Sequence, residues 1–139
     1  MKIIDYIANY ISKSVPASIQ LRTELVRLKY LEHVTKLKEE HTSLHGHIQQ
    51  TYLRHSEYCF TENVFPYEFD EYSLHYIIWI HPDFNNKFNI GYSENVVKNE
   101  ISVLKKTHEL TEHIIFENVE QVRSVPGIKH YHVLFYNTD

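Results

Sequence analysis

The chain predicts an α+β domain, with N-terminal helices packed on a small, mainly antiparallel sheet and one crossing helix. Three observations carry that class. Apolar residues recur at helical spacing through the first third of the chain. Short runs rich in β-branched and aromatic residues follow at 74–80, 113–117 and 128–136. Between the first two of those runs, one segment returns to the helical period. With 139 residues, 42% hydrophobic and 14% aromatic, there is enough apolar material for one continuous core. A single domain over 1–139 is therefore expected, with a helical part over 1–53 and a sheet part over 73–139 that carries the candidate site.

Taken in order, Met1 to Ser12 spaces Ile3/Ile4, Ile7 and Ile11 as a short amphipathic helix. Polar residues interrupt any signal-peptide core, which points to an intracellular protein. Ser14, Val15 and Pro16 form a helix start, since a Ser can cap and Pro is tolerated in the first turn. From there to Leu53 the pattern is helical: Leu21, Leu25, Leu28 and Leu31 trace one stripe, and Tyr30, Val34 and Leu37 trace its neighbour. So long a stretch must break, and Thr42, Ser43 and Gly46 mark the place. Lys36, Lys38, Glu39 and Glu40 read as a solvated face.

Residues 54–72 have no clear period and contain Pro66, so they read as a loop that packs by its rings. Leu74 to Ile80 reads as a buried strand, closed by a turn at His81, Pro82, Asp83, Asn85 and Asn86. Ser93 is a good N-cap for a helix over 94–106, whose Val97, Ile101 and Leu104 lie on one face against the sheet. His113 to Glu117 is a second strand, Val119 to Ser124 a short helical turn, and Pro126-Gly127 the bend into a last strand from Ile128 to Tyr136.

Composition narrows the function. No run approaches the roughly 18 apolar residues of a membrane span. One cysteine, Cys59, excludes an internal disulfide framework and a cysteine-rich zinc site. A net charge of −4 disfavours nucleic-acid binding, although protonation of most of the 11 histidines would reverse it.

The last strand is the most informative stretch. Side chains alternate faces and each residue advances about 3.3 Å, so His130 and His132 share a face roughly 7 Å apart, with Ile128 and Leu134. On the strand at 74–80, His75, Ile77 and Trp79 share a face, and His75 joins the pair if the two strands lie together. The bland reading is histidines satisfied by backbone or carboxylate partners. Two chemical readings compete with it. With a third ligand the pair could hold a divalent metal whose bound water becomes a nucleophile. In phosphoryl chemistry one imidazole attacks or shuttles a proton while Gln121, Arg123, Ser124 and amides near Gly127 hold phosphate oxygens. A second cluster, His41, His45 and His47 with His33 and His55 nearby, lacks the carboxylate of a protease-type zinc helix and reads as surface or interhelix histidines.

Several motifs together resemble a family of unknown function found in fungi, plants, bacteria and large DNA viruses, which includes the fungal N-acetylglucosamine-induced proteins. They are Tyr30-Leu31, the helical run through His41-Thr42-Ser43, Phe65-Pro66-Tyr67, His75-Tyr76-Ile77-Ile78-Trp79, Phe116, Asn118, Gln121, Ser124-Val125 and His130-Tyr131-His132-Val133. The likeness runs from about residue 14 onward. The chain departs from the family pattern at His33, where an aromatic residue stands, at His41-Thr42, where Tyr-Gly stands, and at Phe65, where Trp stands. Frequent Asn, Ile, Tyr and Lys suit an AT-rich genome such as that of a large virus, which would place the protein in an infected host cell.

A remoter likeness is to the histidine-triad nucleotide hydrolases and transferases, through Asn118, Gln121, Ser124-Val125, His130 and His132 in that order. Leu134 stands in place of the third histidine, and four residues rather than one separate Val125 from His130. That likeness implies His132 as nucleophile, His130 as its proton-handling or orienting partner, and Asn118 beside the ligand.

The leading expectation is a protein that binds, and can hydrolyse, a phosphorylated or nucleotide-like small molecule. His130 and His132 form its centre. His75, Trp79, Asn118, Gln121, Arg123 and Ser124 surround the ligand, Trp79 as a stacking or packing surface and Arg123 as a bidentate phosphate contact. No cofactor is required by that reading and no membrane is involved. The alternatives are a non-catalytic module whose helices over 14–53 meet a protein partner, and a metal-dependent hydrolase.

Overall fold

The computed structural model describes residues 2, 3, 5, 6, 23–40, 43–117 and 128–138. Among these residues two complete helices, α1 (Glu24–Glu39) and α2 (Leu44–Tyr52), precede a four-stranded sheet of β1 (Tyr58–Glu62), β2 (Ser73–Ile80), β3 (Glu112–Phe116) and β4 (His130–Tyr136). A 3₁₀ turn at Pro82–Phe84 and two helices, α3 (Ile90–Val96) and α4 (Lys98–His108), lie between β2 and β3. The sheet order is β1-β2-β4-β3, antiparallel throughout. The α+β class and the order of helices before sheet are as expected. No helix among the described residues is long and apolar enough to cross a membrane.

Local chemistry sets the helix ends. The Thr23 hydroxyl accepts from the Val26 N–H to start α1, and the Ser43 hydroxyl accepts from the Gly46 N–H to start α2. Ser43 thus marks the predicted break, while Gly46 lies inside α2. The expected start at Ser14 to Pro16 falls outside the described residues.

Three readings need correction, and the facing of the two α1 stripes, left open by the sequence, is decided. Residues 54–72 are not all loop, because β1 forms at Tyr58–Glu62 and starts the sheet before residue 73. This edge strand has residues half-buried on both sides, which erases the alternation that would have revealed it. The crossing segment is two helices rather than one, and Ser93 does not cap it. Asn89, one turn earlier, accepts from the Tyr92 N–H at 2.8 Å, and Ser93 is fully buried inside α3. On α1 the stripe of Leu25, Leu28 and Leu31 faces outward, at 62%, 50% and 46% exposure, while the neighbouring stripe of Tyr30, Val34 and Leu37 turns inward. The expected turn at 119–124 lies outside the described residues.

Both faces of the sheet are covered. On one, Ile78, Ile80, Tyr131, Val133 and Phe135 pack with Phe88, Val97, Ile101 and Leu110 from the α3–α4 segment. On the other, Ile77, Trp79 and Ile128 meet Ile48 and Leu53 from α2 and the residue that follows it. Beside them Phe116 and Leu134 meet Ile3, Tyr6, Tyr67 and Phe69. Six of the seven β4 residues are consequently buried, histidines included.

Candidate functional site

Antiparallel pairing sets Trp79 opposite His130 and Ile77 opposite His132, so the inward face of β2 meets the histidine face of β4 directly. His75 lies opposite Leu134, one diagonal step from His132. Its Nε2 is 2.7 Å from His132 Nδ1. His75, His130 and His132 are 2%, 5% and 3% exposed, which makes them the most buried imidazoles described.

Buried imidazoles need partners, and the backbone provides several. The Tyr67 N–H donates to His75 Nδ1 at 3.1 Å. The Asn63 amide nitrogen lies 3.4 Å from the same atom and 3.5 Å from His75 Nε2, its orientation set by Asn63 Oδ1 accepting from the Phe65 N–H at 2.9 Å. His130 Nδ1 donates to the Ile128 carbonyl at 2.7 Å. Rings complete the support. Tyr67 and Phe116 stack on His132 with centroids 5.4 and 5.3 Å away, and Trp79 lies 4.8 Å from His130. Trp79 also stacks on Tyr52 at 6.2 Å and 10°, so most of its surface is spent on the wall of the site.

A cavity of about 240 Å³ opens beside this arrangement. His130, His132, Ile77 and Trp79 form its floor, α1 contributes Tyr30 and His33, α2 contributes Leu44, His47, Ile48 and Tyr52, and β1 and its continuation contribute Glu62, Asn63, Val64 and Phe65. His33 and His47 touch across the two helices with centroids 5.1 Å apart. Partial burial, then the neighbouring His47 and Lys36, hold the His33 imidazole below its usual range. Burial pushes the Tyr52 hydroxyl and the Cys59 thiol up, so both are kept neutral.

The structure thus brings His75, Trp79, His130 and His132 together. Asn118, Gln121, Arg123 and Ser124 lie outside the described residues, as do His41 and the His45 side chain; His55 is exposed. His33 and His47 are interhelix histidines as expected, and they also line the cavity, which the sequence reading did not assign them. It also missed Tyr30, Tyr52 and Asn63. Tyr30 and His33 could have been found from their i, i+3 spacing on the inward stripe of α1, whereas Asn63 follows a strand without a period. Among the described residues no group of three His, Cys, Asp or Glu side chains converges as a metal site. Chemically, the arrangement offers paired imidazoles held by fixed hydrogen bonds, an amide, phenols and aromatic walls around a small-molecule space.

Comparison with known proteins places this architecture. The fold is similar to the crystal structure of HTC1, with a TM-score of 0.62 over 99% of this chain and 85% of that one, at 16% identity. No protein of curated description matches. A family model described as protein of unknown function DUF3605 matches residues 5–136, nearly the whole chain, in line with the resemblance carried by the motifs. The chain therefore belongs to the DUF3605 family.

Proposed function

We propose that the protein binds a small phosphorylated or nucleotide-like molecule in the histidine cavity, and that the same imidazoles can serve its hydrolysis. The observation that carries this reading is the pairing of two buried imidazoles, each with one ring nitrogen bonded to a fixed partner, at the floor of a space of about 240 Å³. Burying polar rings costs free energy that packing with Leu or Phe would avoid, and a ligand offsets that cost. Tyr30, Tyr52, Asn63, His33 and His47 supply further hydrogen-bonding groups for phosphate or sugar oxygens. Aromatic walls suit the flat face of a base or the apolar face of a sugar.

The test is a panel of nucleotides and sugar phosphates followed by thermal unfolding and calorimetry, on wild type, His130→Ala and His132→Ala. A ligand present at 100 times its Kd raises unfolding free energy by about 2.7 kcal/mol, well within detection. At least one compound is expected to stabilise wild type and to lose that effect in both variants. If no compound of either class binds wild type, the reading fails.

A second reading, a non-catalytic interaction module, is favoured by the outward stripe of Leu25, Leu28 and Leu31 on α1. It expects Leu28→Glu to abolish capture of a partner while leaving the fold intact, and His132→Ala to lower stability without changing any ligand affinity.

A further inference from the structure

We infer that the chain has a second binding site, on the side of α2 turned away from the histidine cavity. It is a hollow lined by Gly46, Gln49, Gln50, Leu53, Arg54 and His81, and it takes the phosphate or carboxylate group of a small anion. The site stands whether or not the histidine cavity holds a ligand.

Helix geometry separates the two sites. At about 100° per residue, Leu44, His47, Ile48 and Tyr52 fall on one side of α2 and line the histidine cavity. Gly46, Gln49, Gln50 and the adjoining Leu53 fall on the opposite side and line a hollow of about 300 Å³. Leu53 is fully buried in the apolar cluster of Ile48, Ile77 and Trp79, so packed side chains lie between the two spaces. Arg54 follows at the helix end, and His81 arrives from the end of β2, where its N–H donates to the Glu57 carbonyl at 2.8 Å. Gly46 leaves room at the wall. A Cβ there would meet the Ser43 hydroxyl at 3.2 Å and otherwise open space.

The lining is rich in donors. The Asp83 N–H can only donate, and it lies 3.1 Å from His81 Nδ1, so that nitrogen accepts and the ring carries its proton on Nε2. The Arg54 guanidinium has five N–H donors and no acceptor, and the Gln49 and Gln50 carboxamides can each turn an NH2 toward a guest. Among the described residues no ion pair or side-chain hydrogen bond engages Arg54, Gln49, Gln50 or the Nε2 of His81. The guest that satisfies such a wall accepts hydrogen bonds and carries negative charge. An oxyanion does both, and a guanidinium can hold two of its oxygens at once. Nearby carboxylates do not cancel this attraction. Glu57 is held by the Lys87 ammonium at 3.0 and 3.2 Å. Asp83 is largely exposed and stands 3.8 Å from His81 Nδ1, on the bonded side of the ring, where solvent screens it. Leu53 is the one apolar side chain among the lining residues, which leaves little for a flat hydrophobic guest.

Proton–nitrogen correlation spectra of the ¹⁵N-labelled full chain at neutral pH test the site, titrated with sodium phosphate and separately with sodium acetate, with sodium chloride at matched ionic strength as control. The carboxamides of Gln49 and Gln50 and the backbone amides of Arg54 and His81 report this side of α2, and the indole N–H of Trp79 reports the histidine cavity. Saturable shifts of the first group are expected with phosphate or acetate and not with chloride, and the tighter of the two anions identifies the group preferred. Arg54→Gln, at an exposed position, should weaken that anion about tenfold by removing a charged donor. Gln50→Glu, also exposed, should weaken it by setting a negative charge at the wall. Shifts equal to those in chloride, shifts that do not saturate, or an unchanged affinity in Arg54→Gln overturn the inference. Saturable shifts at Trp79 alone overturn it as well and put the anion in the histidine cavity. Saturation at Arg54 with Trp79 silent supports the second site and leaves the ligand of the first to its own screen.

Discussion

His33 shows how one side chain ties the site to pH. The unfolded chain holds this imidazole near its ordinary value of 6.5, while partial burial and the adjacent His47 and Lys36 lower it in the fold. Well above 6.5 both states are neutral at this ring and nothing is lost. As pH falls below 6.5, the unfolded state takes up the proton first, so stability declines through the folded value. Urea midpoints measured from neutral to mildly acidic pH should fall more steeply for wild type than for His33→Gln; equal slopes would deny the effect. The same residue bears on how legible the site was. Two-residue spacing was enough to place His130 and His132 on one face and His75 and Trp79 on another, because alternation is a property of any strand. It could not say that His75 would bond His132 at 2.7 Å, since that needs the register Ile77 to His132.

At the scale of elements, caps decide boundaries. Asn89 starts α3, and Asn89→Ala should cost about 1 kcal/mol in chemical unfolding, because the Tyr92 N–H loses its partner. Substitution of Ser93, taken from sequence as the cap, acts instead through packing, as this residue is fully buried. At the end of α4, Glu109 holds a left-handed conformation, φ 55° and ψ 43°, which costs a residue with a Cβ roughly 1–2 kcal/mol. Glu109→Gly should recover about 1 kcal/mol of that, seen as a higher urea midpoint at unchanged slope. Both features were present as residue types, but Asn89 and Ser93 are equally good caps on paper. The choice between them depends on which turn can pack Val97 and Ile101 on the sheet.

For the molecule as a whole, the two-sided burial of the sheet matters most. Tyr6, 1% exposed, lies edge-on to Tyr67 and Phe116 and 5.7 Å from Phe69, so the N-terminal segment closes the same face that carries His132. Its Ile3 N–H also bonds the Glu71 carboxylate. Tyr6→Ala should destabilise by about 3 kcal/mol, the cost of emptying a large aromatic site. Because Phe116 stacks on His132, the same variant should also shift the His132 ring resonances. Unchanged melting together with unchanged resonances would show that this segment is not part of the core.

Local periodicity carried the α+β class, three of the four strands, the break at Ser43 and the shared histidine face, because each depends on neighbours a few residues apart. It did not carry the edge strand at Tyr58–Glu62, the outward turn of Leu25, Leu28 and Leu31, or the entry of His33 and His47 into the cavity. Those depend on which surface each element meets, and so do the partners of each buried imidazole. A nitrogen becomes donor or acceptor according to the group placed against it, and here those groups include the Tyr67 amide and the Ile128 carbonyl, brought to the rings by the folded backbone.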